Sequence, residues 1–80
     1  MEIKILGGGC ARCEKLELIT RKAVEELGVK ANFTKVKKMK EIMQYDIMET
    51  PALVINETVK SSGRIPVKEE IMNWLTETSQ

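Results

Sequence analysis

Three consecutive glycines, Gly7-Gly8-Gly9, divide two different hydrophobic periods near the start of this chain. Before them, Ile3 and Ile5 alternate with Glu2 and Lys4, as in a half-buried strand. After them, Leu16, Ile19, Ala23, Val24 and Leu27 recur at steps of three and four, with Glu14, Glu17, Arg21, Lys22 and Glu25 on the other side. That spacing predicts an amphipathic helix over 11–27, and Gly28 is suited to end it in a left-handed conformation. Val29, Ala31 and Phe33 then alternate with Lys30, Asn32 and Thr34, a second strand reaching Val36. A strand, a helix and a strand in 36 residues make a βαβ unit, with parallel strands and a right-handed crossover.

The rest of the chain continues the alternation. Met39, Ile42 and Met43 share a face in a short helix expected over 37–45, which Asp46 leaves. Thr50-Pro51 precedes the apolar run Ala52-Leu53-Val54-Ile55, and Asn56-Glu57 separates it from Thr58-Val59-Lys60-Ser61, predicting a β-hairpin. Proline at a strand's opening residue forfeits no ladder bond. A last helix is expected over 67–77, with Ile71, Trp74 and Leu75 inward, Glu69 and Glu70 in the first turn, and 78–80 as a frayed tail. Met39, Met43 and Met48 are expected to fill gaps between helix and sheet. The order β-α-β-α-β-β-α predicts an α/β fold, a four-stranded mixed sheet flanked by three helices. At 80 residues there is room for one core, so residues 1–80 are read as a single domain.

Composition narrows the function. Thirteen basic against twelve acidic residues leave a net charge of +1, too weak a field to point to nucleic acid. The Lys35, Lys37, Lys38 and Lys40 cluster is expected as a solvated helix edge, the alternative being steering of an acidic partner. No apolar run approaches the ~20 residues of a membrane span, and no secretion signal is visible, so a cytoplasmic protein without membrane partners is expected. Histidine is absent, which removes histidine acid-base catalysis, Ser-His-Asp triads and histidine metal ligands.

Two cysteines remain, as Cys10-Ala11-Arg12-Cys13, where the glycine loop turns into the first helix. Cys10 is expected at the helix N-terminus and Cys13 one turn in. Free backbone N–H groups and the positive end of the helix dipole favour a thiolate there, lowering the Cys10 pKa from the usual ~8.5. Arg12 adds positive charge. Such a thiolate attacks a partner disulfide, and Cys13 resolves the mixed disulfide. The alternative is metal binding or transfer by the same thiolates. Two of them suit Cu(I), whereas tetrahedral zinc needs four ligands and hence two chains.

Cys10-x-x-Cys13 after a strand, followed by Thr50-Pro51 before a hairpin and a final helix, resembles the minimal thioredoxin and glutaredoxin core across nearly the whole chain. Gly9 to Cys13, Thr50 to Ile55 and Ser62-Gly63-Arg64 are similar to the small archaeal and bacterial redox-active disulfide proteins. The resemblance implies a thioredoxin fold and thiol-disulfide oxidoreductase activity without a cofactor. It further implies Cys10 as nucleophile, Cys13 as resolving thiol, and Pro51 as a cis-proline facing the pair. Thr50 would then hold an incoming peptide through its backbone, in the manner of an added strand. Substrates would be protein or small-molecule disulfides, with a cellular reductase as electron donor. Thioredoxins carry a buried acid six residues before the first cysteine, where Lys4 stands here.

Overall fold

The computed structural model describes residues 1–7, 11–47 and 49–79. Strands β1 (Glu2–Leu6), β2 (Asn32–Val36), β3 (Ala52–Ile55) and β4 (Thr58–Ser62) form one sheet in the order β2-β1-β3-β4. Helices α1 (Ala11–Leu27), α2 (Met39–Ile42) and α3 (Lys68–Ser79) flank it. β1 is parallel to β2 and antiparallel to β3, and β3 is antiparallel to β4, so the sheet is mixed.

The strand period of two assigns each residue to a face. Ile3 and Ile5 of β1 and Leu53 and Ile55 of β3 meet Leu16, Ala23 and Val24 of α1 and Ile71 and Leu75 of α3 in the larger core. Leu6, Val36, Ala52 and Val54 point the other way and pack with Ile42 of α2. All four residues of β3 are buried, as expected for an inner strand covered on both faces. α1 ends as the sequence implies: Gly28 has φ +69 and its N–H bonds to the Val24 carbonyl at 3.0 Å.

Four differences from the sequence expectations have physical causes. β2 starts at Asn32 rather than Val29, because ladder partners begin only where Glu2 lies opposite Asn32. Val29, Ala31 and Phe33 nevertheless pack against the larger core, so their alternation still marks the inward face. α2 is a single turn followed by a 3-10 turn over Met43–Tyr45, which Asp46 ends with φ 55. One turn lays one side chain on the sheet: Ile42 is buried, while Met39 and Met43 are 66% and 68% exposed and fill no gap. Met48 lies outside the described residues. α3 continues through Ser79, so the backbone at 78 and 79 is helical rather than frayed. α1 also buries Thr20, whose hydroxyl donates to the Leu16 carbonyl at 2.7 Å and so satisfies itself within the helix.

Candidate functional site

The end of β1, the first turn of α1 and the residues before β3 converge on Gly7. Its φ of +126 is open to glycine and strained for any L side chain. Its N–H donates to the Val36 carbonyl at 2.9 Å, which ties this backbone to the end of β2. A Cβ placed on Gly7 would sit 2.9 Å from Cys13 Sγ and 3.2 Å from Thr50 Cβ. The Cys13 sulfur and the Thr50 side chain therefore approach the same glycine, each packed against the space its missing side chain leaves. Cys13 itself is buried, 6% exposed.

Thr50 is exposed and Pro51 fully buried, and the peptide bond between them is cis. The Pro51 carbonyl accepts from the Gly63 N–H at 2.9 Å. Gly63 has φ +74, and a Cβ there would run into the Glu49 side chain. Arg12, exposed on α1, donates from Nη2 to the Gly63 carbonyl at 3.0 Å. Gly63 thus links the start of α1 to the residues that open β3. Cys10, Gly8 and Gly9 lie outside the described residues.

A cavity of about 70 Å³ adjoins Cys13 and is bounded by Ile5, Gly7, Glu14, Glu17, Lys35 and Lys37. Glu17, which helical counting puts on the solvent side, is only 14% exposed in its side chain. Its Oε1 lies 2.8 Å from Lys35 Nζ, and its Oε2 accepts from Arg21 Nε at 3.0 Å and lies 2.9 Å from Arg21 Nη2. The Arg21 guanidinium stacks on Phe33 at 4.4 Å from the ring centroid, which fixes its direction. Lys35 belongs to β2, not to a helix edge, and this pairing gives it a definite partner. The i, i+4 interval from Cys13 to Glu17 was visible in the sequence; the cation from β2 that draws Glu17 inward was not.

Tyr45 does not approach this site. Its hydroxyl accepts from Lys4 Nζ at 2.7 Å, and Lys4 also pairs with Glu57 at 2.5 Å, on the sheet face that α2 covers. Glu57 then Tyr45 hold the Lys4 ammonium well above its ordinary pKa. Carboxyl pKa values are lowered at Glu17, chiefly by Lys35, at Glu57, chiefly by Lys4, and at Glu70, chiefly by Arg64. Groups depressed on folding stabilise above the unfolded carboxyl pKa of ~4.3 and lose that contribution as pH falls through their lower folded values. Thermal unfolding is therefore expected at a lower midpoint at pH 3 than at pH 6, with a smaller difference in Glu17→Gln. An equal midpoint at the two pH values would contradict these pairings.

A family model described as a thioredoxin domain matches residues 1–76. The chain belongs to the thioredoxin-domain family. Relatives agree: the thioredoxin of Methanothermobacter thermautotrophicus is 42% identical over 76 residues, covering 95% of this chain and 99% of its own. The thioredoxin of Methanocaldococcus jannaschii is 35% identical, covering 91% and 88%. Thioredoxin 1 of Thermosipho africanus superposes over the full length of both chains with a TM-score of 0.59 at 12% identity, a likeness of fold. This thioredoxin-family chain accordingly has the thioredoxin fold and belongs with thiol-disulfide oxidoreductases. Among its described residues no helix is long and apolar enough to cross a membrane, and no group of three or more Cys, Asp or Glu is placed to hold a metal ion.

Proposed function

We propose that the protein exchanges dithiol for disulfide with partner molecules through Cys10 and Cys13. The observation that carries this is the approach of Cys13 Sγ and Thr50 to the same side-chain-free backbone at Gly7, beside Pro51. Cys10, three residues before Cys13 and immediately before α1, is the nucleophile. Anions are favoured at a helix N-terminus, so a thiolate at that point is stabilised by the positive end of the helix dipole. The Cys10 thiolate attacks one sulfur of the partner disulfide and releases the other as a thiolate. Cys13 then attacks Cys10 Sγ, closes the intramolecular disulfide and frees the second partner sulfur. A separate reductant, taken as a cellular reductase, returns the pair to the dithiol.

The backbone of Thr50 is the element against which an incoming peptide lies as an added strand, with Pro51 keeping that surface clear of an N–H of its own. Arg12, two residues after Cys10 in the sequence, supplies a positive charge at the start of α1, and the hydrogen bond it donates there goes to the neutral Gly63 carbonyl. Arg12→Met is expected to raise the pKa of the Cys10 thiol, read from thiolate absorbance against pH; an unchanged titration would remove Arg12 from this role.

The exchange itself is tested by reduction of insulin disulfides with dithiothreitol as donor. Catalytic amounts of the protein are expected to shorten the lag before insulin precipitates. A time course identical to dithiothreitol alone, for insulin and for a small disulfide such as dithionitrobenzoate, would overturn the proposal.

A further inference from the structure

Within the exchange cycle just proposed, on which this inference rests, the second step makes a demand that Cys10 does not. Cys13 is buried, and burial in low-polarity surroundings favours a neutral thiol over a thiolate. As it attacks the mixed disulfide, it must give up a proton away from bulk water. We infer that Glu17 is the group that receives this proton, across the cavity it shares with Cys13.

Geometry singles out Glu17. Cys13 and Glu17 are one helical turn apart on α1, so their side chains leave the same face. Both border the cavity of about 70 Å³. A water molecule needs about 10–15 Å³ of space on this measure, so the cavity suffices for a water-mediated path. Glu14 also borders the cavity, but it is exposed and follows Cys13 directly, about 100° further round the helix.

The charged groups around Glu17 come from two sides. Arg21 of α1 takes Oε2, Lys35 of β2 takes Oε1, and Lys37 and Glu14 stand on the cavity wall. A carboxylate accepts about four hydrogen bonds. Oε2 accepts one from Arg21 Nε and lies 2.9 Å from Nη2, whereas Oε1 meets Lys35 alone among the described residues, which leaves a lone pair on Oε1 for a proton. The two cations hold the carboxyl pKa below its ordinary range, so the acceptor is ionised at neutral pH.

The Cys13 proton passes to Glu17, and the Cys13 sulfur's electron pair forms the bond to Cys10 Sγ. The bond from Cys10 Sγ to the partner sulfur breaks, and its pair leaves on that sulfur as a thiolate. Glu17 then returns the proton to solvent or to the departing thiolate. Cys10 and Cys13 end oxidised and the partner disulfide ends reduced, with no further reactant.

A limiting amount of dithionitrobenzoate separates the two attacks, since Cys10 releases one thionitrobenzoate and Cys13 the second. In Glu17→Gln the first release is expected to keep its rate while the second slows about tenfold or more at neutral pH. The gap should close as pH rises past the ordinary thiol pKa of ~8.5, where hydroxide replaces the acceptor. Glu17→Asp should restore part of the rate. Lys35→Gln, which breaks the ion pair but keeps the carboxylate, should retain a fast second release at neutral pH. An unchanged second release in Glu17→Gln, a slowing equal at every pH, or an equal loss in Lys35→Gln would overturn the role of Glu17. Wild-type protein that releases only one equivalent would instead bring down the exchange cycle, and this inference with it.

Discussion

Cys10→Ser is expected to lower disulfide reduction by about a thousandfold or more, to the rate of the donor alone, because a serine hydroxyl is not ionised near neutrality and cannot replace the thiolate. Cys13→Ser should fail differently. The first attack survives, since Cys10 is intact, but nothing displaces the partner sulfur, so the protein accumulates as a covalent adduct. Denaturing gels without reductant, or intact mass, would show that adduct in Cys13→Ser and not in Cys10→Ser. The asymmetry follows from position: Cys10 immediately precedes α1, whereas Cys13 is buried against Gly7. Adducts of equal yield in both variants would contradict the assignment of roles.

Gly7→Ala should produce a large structural effect for a single added methyl group. With φ at +126 an L residue is strained by about 1–3 kcal/mol. The new Cβ also meets Cys13 Sγ at 2.9 Å and Thr50 Cβ at 3.2 Å. Neither neighbour is the free end of a long side chain: the sulfur is fixed to the first turn of α1, and the Thr50 Cβ is one bond from the backbone. Relaxing φ would in turn strain the bond from the Gly7 N–H to Val36. Together these cost about 2–4 kcal/mol, a large part of the ~4–12 kcal/mol expected for 80 residues. Urea unfolding should show a clearly lower midpoint at unchanged slope. Activity should fall below wild type even where the variant is fully folded, because Cys13 and Thr50 are pushed apart. A midpoint equal to wild type would show that Gly7 does not sit between them.

Local pattern and tertiary choice divide what the sequence could reveal. α1 spans the residues its periodicity implies, and β3 covers the apolar run after Pro51, because each is long or apolar enough for its own period to decide. The Cys10-x-x-Cys13 spacing and Thr50-Pro51 stand out in the sequence for the same reason, as local motifs that need no tertiary contact to be seen. α2 was not, since a four-residue helix has too little length to set its own face, and contact with the sheet admitted Ile42 and left Met39 and Met43 in solvent. Tyr45 is close to Pro51 along the chain, yet its hydroxyl is drawn to Lys4 and Glu57 by charges that lie 41 and 12 residues away. Glu17 belongs to the same class. Helical counting gives its angle around α1 but not the arrival of Lys35 from β2, which turns a solvent-side carboxylate into a wall of the cavity at Cys13.

The central claim is that the two sulfurs bond within one molecule and part again under mild reduction. Intact-mass spectrometry of dilute protein after equilibration with oxidised and then reduced glutathione tests it directly, with alkylation of remaining thiols before each reading. Oxidised monomer should weigh two hydrogens less than the dithiol and take up no alkylating agent, and reduced glutathione should restore both thiols. A monomer that keeps both thiols alkylatable throughout, or that oxidises only by joining to a second chain, would contradict the account.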